Sequence, residues 1–220
     1  MQPISLDNVP LTFQTKVKNL GVYLDQTLSG ELWVRHVCRR VFALLNRFYR
    51  CGATFLPPAA RRTLVNTLIL PIFDYGGPLH VDLTVDRENR LQRAQNSSVR
   101  FAYRLRRRFA LTPIFKDWGL MRLADRRKWQ LLVLFYKSVV RDGGPSYIKE
   151  KCMRFSEHHG HAGKCNHSFV SPRVRTCTFQ FMAIKLWNAP VSSLHGQQWS
   201  ICYPLHLQTK ITQIYLNGVE

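Results

Sequence analysis

A row of arginines carries the most chemical information in this 220-residue sequence: Arg87, Arg90, Arg93, Arg100, Arg104, Arg106, Arg107 and Arg108, followed by Lys116, Arg122, Arg126, Arg127 and Lys128. Guanidinium groups bind phosphates through a planar fork, and a row at helical spacing can follow a nucleic-acid backbone without reading bases. Phe101, Tyr103, Phe109 and Trp118 stand among them and could stack bases, although Phe101 suits a core position better. A solvated helix face is the other use of such a run. Acids are few, however: 32 Lys and Arg face 13 Asp and Glu, for a net charge of +19. That balance favours a polyanionic partner, with nucleic acid ahead of an anionic membrane.

Catalytic constellations are thin by comparison. Asp25 reads as a turn residue and Asp74 as a capping or structural carboxylate, and neither has a second acid close in sequence with which to share a metal ion. A Walker loop, HExxH and GxSxG are all absent. Cys152, His158, His159, His161, Cys165, His167 and Cys177 invite a zinc reading, but the tight cysteine pairs of a zinc knuckle are missing and a loop with incidental histidines is favoured. The expected metal content is none.

The six cysteines are scattered and no secretory leader is evident, so an intracellular, reduced chain is expected, nuclear or cytoplasmic, in a ribonucleoprotein. Asn96-Ser97-Ser98 and Asn166-His167-Ser168 are then chance glycosylation matches. The longest apolar run, Leu131 to Tyr136, is too short to cross a bilayer.

The elements that must position these groups follow from periodicity. Val17, Leu20, Val22 and Leu24 flank Gly21 as a strand whose backbone approaches something closely, with Ile4 to Phe13 as a strand or turn paired to it. Asp25 to Gly30 makes a turn. From Glu31, residues Leu32, Val34, Val37, Cys38, Val41, Leu44, Leu45 and Phe48 recur at helical spacing, and Arg35, Arg39, Arg40 and Arg47 fall between them, so this helix is amphipathic with a cationic outer face. Cys51-Gly52 ends it. Pro57-Pro58 opens a second helix with Leu64, Val65, Leu68 and Ile69 on its buried side, interrupted by Pro71, and Gly76-Gly77-Pro78 is a strong breaker. A third helix is predicted over Asp86 to Leu105, with Leu91, Ala94, Ser98, Phe101 and Leu105 inward. A fourth spans Leu123 to Arg141, carrying Trp129, Leu132, Val133, Phe135, Tyr136 and Val140. Glu157 to Ser168 reads as a polar loop, and Phe179 to Trp187 as a last short helix.

The block from Val17 to His36, VKNLGVYLDQTLSGELWVRH, resembles the region just after the catalytic palm in reverse transcriptases of non-LTR retrotransposons, of the jockey type. Lys18 to Leu28 and His36 match that family's K-x-L-G-V-x-L-D-x-x-L…H phrase, with the aromatic near the helix displaced to Trp33. Leu70 to Gly76 (LPIFDYG), Leu91 to Asn96 (LQRAQN) and Leu186-Trp187-Asn188 follow in the family's order. Gly77-Pro78 departs from the apolar helical residues usual there. The resemblance implies a thumb and post-polymerase helical region that holds the template and primer duplex. Lys18, Gly21 and Val22 would lie near the primer terminus; Arg35, Arg39 and Arg40 follow by helical position.

The expected fold is mainly α: a short N-terminal β-hairpin, a helical thumb-like bundle and an irregular C-terminal region. Residues 1–30 would form the hairpin at the palm–thumb junction, 31–80 the thumb-like helices, 81–150 the basic helical region and 151–220 the irregular part with one short helix. The tail after Ser200 lacks a counterpart in the family pattern. The family's catalytic aspartates, an early one and the pair of an aromatic-x-D-D turn, are missing. The expectation is therefore a truncated RNA-directed DNA polymerase remnant, no enzyme by itself, with no cofactor; Mg2+ would enter only if the chain were joined to a palm. Its expected nucleic-acid-binding residues are Lys18, Gly21, Arg35, Arg39, Arg40, Arg90, Arg93, Arg100, Arg104, Arg107, Arg108, Arg126 and Arg127, with RNA or RNA–DNA duplex as partner and no membrane. Two alternatives remain open: a non-catalytic module binding RNA or an acidic protein, and a pseudogene product without function.

Overall fold

The computed structural model describes residues 5–6, 9–10, 14–135, 137–138, 144–147, 155–156, 168–169 and 179–187. The Cys/His-rich stretch considered for zinc (Cys152, His158, His159, His161, Cys165, His167 and Cys177), the second glycosylation triplet except Ser168, and the tail after Ser200 lie outside them. So do Tyr136, Val140 and Arg141 of the fourth predicted helix. The described residues are mainly helical, with an N-terminal antiparallel hairpin ahead of the helices. The chain divides into two compact units, residues 1–76 with 83–104, and residues 77–82 with 105–220.

The first unit begins with a minimal pair, β1 (Ser5–Leu6) and β2 (Val9–Pro10), whose two strands pair with each other. The hairpin proper is β3 (Lys16–Asn19) against β4 (Val22–Asp25), in register Asn19 to Val22 and Lys18 to Tyr23. This corrects two expectations. The described parts of Ile4 to Phe13, Ser5–Leu6 and Val9–Pro10, pair with each other and not with this hairpin, and Gly21 is not in mid-strand: Val17 to Leu24 folds back on itself. Leu20 at φ 45 and Gly21 at φ 82 occupy the two central positions of the turn, both at positive φ as a type I′ connection requires. A leucine at such a position is uncommon, so the sequence offers little sign of a turn.

Helix α1 (Glu31–Arg50) follows, with Trp33, Val34, Val37, Val41, Leu45 and Phe48 buried and Arg35, Arg39, Arg40 and Arg47 exposed. Its start is organised by Asp25. The carboxylate accepts hydrogen bonds from Ser29 N–H (2.8 Å), Ser29 Oγ (2.8 Å) and Thr27 Oγ1 (2.9 Å), and Ser29 Oγ in turn accepts from Glu31 N–H at 3.2 Å. Burial raises the Asp25 pKa, but the bonds from Ser29 and Thr27 outweigh it and hold the carboxyl below its ordinary value. Asp25 is a turn residue by its contacts.

Helix α2 (Pro58–Leu64) runs into a π-helical turn (Val65–Ile69) and then α3 (Leu70–Asp74). Pro71 therefore does not interrupt the helix where the sequence suggested. It sits in the first turn of α3, where its missing N–H is tolerated, and the widened turn before it keeps the path continuous, with Leu70 N–H reaching back to Val65 O. Widening also rotates the phase. Val65, Ile69, Leu70 and Phe73 are buried, whereas Leu68, expected inward, is exposed.

Helix α4 (Val85–Tyr103) packs along α1 and α2. Leu91, Ala94, Ser98 and Phe101 face inward as the spacing predicts, joined by Gln95, Val99 and Ala102. Phe101 stacks on Phe48 at 5.3 Å and meets Tyr49 edge-on at 5.5 Å, so it is a core residue. The helix ends two residues earlier than predicted. Arg104 turns left-handed at φ 53, closing the last turn through its N–H, and Leu105 leaves the helix half-buried.

The helix stops before Gly76-Gly77-Pro78 as expected, α3 ending at Asp74, and in the second unit Gly77–His80 forms a 3-10 turn. Gly77 is buried there, and a Cβ would meet Gln130 Oε1 at 2.9 Å and Arg127 Cγ at 3.3 Å, so the glycine permits close approach to α6 (Leu123–Phe135). Helix α5 (Thr112–Trp118) ends at Gly119, φ 64, with Leu120 N–H bonding Phe115 O at 2.9 Å. Strands β5 (Phe155–Ser156) and β6 (Ser168–Phe169) pair antiparallel. Helix α7 (Phe179–Trp187) takes the predicted bounds and places Ala183 and Ile184 against Leu131 and Phe135, with Met182 and Leu186 alongside.

Candidate nucleic-acid interface

Two motifs distant in sequence meet in the first unit. Tyr75 donates its hydroxyl to Leu20 O, and Trp33 Nε1–H donates to Tyr75 O at 3.1 Å. A Cβ on Gly21 would meet the Tyr75 ring at 3.2–3.3 Å, and one on Gly76 would meet Val22 and Trp33 at 3.1–3.2 Å. The glycines of Leu20-Gly21-Val22 and Tyr75-Gly76 thus let the hairpin seat against α1 and the end of α3. Gly21, expected at the site, acts through this seating and its turn.

The seated hairpin brings Lys18 to α1. Lys18 Nζ lies 5.5 Å from the centroid of its cross-strand neighbour Tyr23, whose ring lies 4.6 Å from the ring of His36. Arg40, Lys18 and Arg39 all act electrostatically on His36; burial first, then these three charges, holds His36 below its ordinary 6.5. The three cations have exposed side chains, and none makes an ion pair with an acid among the described residues. Three of the expected residues therefore converge on one face around an aromatic pair. Tyr23 was not singled out, because a strand aromatic reads as core; the Lys18–Tyr23 register, visible only with the turn at Leu20-Gly21, would have revealed it.

Arg35 and Arg90 are placed differently. Glu31 accepts from Arg90 NH1 through both oxygens (2.8 and 2.9 Å), from Arg87 Nε (3.2 Å) and from Arg35 NH2 (3.4 Å). The Arg90 hydrogen bond, opposed by burial and supported by Arg87, holds the Glu31 carboxyl below its ordinary value, and the same bond raises Arg90. This joins α1 to α4. Close by, Cys38 Sγ lies 3.7 Å from Arg90 O, and burial pushes its thiol up against the pull of Arg90 and Arg93. It is a packed thiol, not an activated one.

Among the remaining arginines, Arg93 is exposed with Nε bonded to Asn89 O, Arg100 is half-buried and Arg104 is exposed. Arg107 and Arg108 belong to the second unit and are exposed, Arg126 is half-buried and Arg127 is buried on α6. The row is thus divided between two units. Asp74 closes α3 half-buried. Among the described residues no group of three His, Cys, Asp or Glu could hold a metal ion, and no described helix is long and apolar enough to cross a membrane. The chain matches no family model, no curated protein and no solved structure.

Proposed function

We propose that this chain grips nucleic acid as the thumb and linker part of a non-LTR retrotransposon reverse transcriptase of the jockey type, without contributing catalytic carboxylates of its own. One observation carries the reading: Lys18, Arg39 and Arg40 converge around His36 and Tyr23, and no acid among the described residues pairs with them. Exposed cations held on a strand and a helix can contact successive phosphates, releasing counterions as they bind. The seating of Leu20-Gly21-Val22 against Tyr75-Gly76 adds support, because it gives two motifs of the resemblance a shared physical task. RNA–DNA duplex is the partner on this reading.

Binding of an RNA–DNA duplex over a salt series tests it. The logarithm of affinity should fall linearly with the logarithm of salt, and combined replacement of Lys18, Arg39 and Arg40 by alanine should reduce the slope by roughly 2 to 3, about one per lost phosphate contact. Affinity indifferent to salt would overturn phosphate-driven binding. Recovery of an acidic protein in place of nucleic acid would favour the interaction-module alternative.

A further inference from the structure

Arg61, which the sequence reading passed over, occupies an unusual place. It lies one helical turn before Val65, on the inward side of α2, and only 2% of its surface is exposed. Its NH1 reaches Thr54 O at a long 3.4 Å, its Nε is enclosed with no hydrogen-bond partner, and it makes no ion pair with an acid among the described residues. A guanidinium stays charged, so a buried one with one weak bond is poorly compensated. A second charge makes this worse. Arg104, exposed on the left-handed cap of α4, acts on Arg61 with the same sign, and burial together with that charge pushes Arg61 below its ordinary range. Beside them the Arg62 guanidinium lies over the ring of Tyr103, 6.0 Å from its centroid.

Two like charges act on each other here, and one of them is buried with an enclosed Nε that has no hydrogen-bond partner. We propose that Arg61 and Arg104, with Arg62 and Tyr103 at the rim, form a seat for one phosphate group of a nucleic-acid backbone. The oxyanion would accept from the guanidinium N–H groups and offset the repulsion between Arg61 and Arg104, and the planar fork suits phosphate geometry. The inference rests on the nucleic-acid reading above for the source of the phosphate, but the anion seat itself is separable from it.

The test uses the full chain and two probes. Inorganic phosphate, at about ten times its dissociation constant and compared with chloride at equal ionic strength, should raise the melting temperature by roughly 3–5 °C. Arg104→Asn removes the charge while keeping a residue that tolerates the left-handed cap, and it should abolish that rise and lower the salt slope of duplex binding by about 1. Arg61→Met should also abolish the rise and melt no lower than the unaltered chain in chloride, because an apolar side chain replaces an uncompensated charge. An equal phosphate response in Arg104→Asn and the unaltered chain would overturn the seat, as would a lower melting point of Arg61→Met in chloride. Loss of the phosphate response with duplex binding unchanged would overturn the backbone assignment and leave a free-phosphate site. Absence of duplex binding by the unaltered chain, with the phosphate response intact, would sink the nucleic-acid reading and the backbone assignment while sparing the anion seat.

Discussion

The two flanks of α1 carry the same kind of residue and use it in opposite ways. On the flank toward α4, Arg35, Arg87 and Arg90 converge on Glu31, and the bonds from Arg87 and Arg90 are consumed in holding α4 to α1. On the flank toward the hairpin, Lys18, Arg39 and Arg40 converge on His36, which is no counterion. One carboxylate makes the difference. Counting arginines along the sequence therefore overstates the binding surface, and the acids decide which cations remain for a ligand.

The strongest way to break the comparison is to remove that carboxylate. Glu31→Gln should cost roughly 1–3 kcal/mol of stability, since it removes the negative charge and one of the two acceptor oxygens that three arginines share, and should strengthen duplex binding by making the first flank resemble the second. Chemical denaturation and the salt series would read the two effects, and unchanged affinity would mean that the Glu31-facing arginines cannot reach phosphate. The pH dependence has a definite sign. Glu31 titrates below its ordinary 4.5 in the folded chain, so its contribution is complete above that value and is lost as pH falls through the lowered one. His36 is also depressed, so the folded chain alone favours the neutral ring and loses stability as pH falls through 6.5 toward the lower folded value. Phosphate at that face should reverse the preference. Duplex affinity should rise roughly two- to tenfold from pH 7.5 to 5.5, beyond any change seen in His36→Gln. The smallest effect tests the support of the second flank: Leu20→Asn should stabilise the chain by about 0.5–1 kcal/mol, because asparagine accepts positive φ, with little change in duplex affinity. A loss of stability would show that the exposed leucine contributes more than its strained backbone costs.

The periodic part of the molecule was legible, since apolar spacing located α1, α4 and α7 and the inward residues Val37, Val41, Leu91 and Ala94. Trp33 was harder to place, because its burial depends on a hydrogen bond to Tyr75, 42 residues away. Leu68 was misplaced for a different reason: a periodic reading assumes constant pitch, and the π turn violates it. Within the candidate site, Arg39 and Arg40 were legible as an outer face. The capture of Arg90 by Glu31 was not, because it joins residues 59 apart, and neither was the burial of Arg61, because a charge in a sequence reads as solvated.

The π turn at Val65–Ile69 has one further consequence. Such a turn holds one residue more than the α-helical path it replaces. Winding the same residues at regular α pitch, with none removed, would swing everything beyond them by about 100° around the helix axis. Phe73 would leave the core, and the Tyr75 hydroxyl would leave Leu20 O. The wide turn thus acts as an angular spacer: five residues far from Lys18 in sequence set the azimuth of the bracket that aims it.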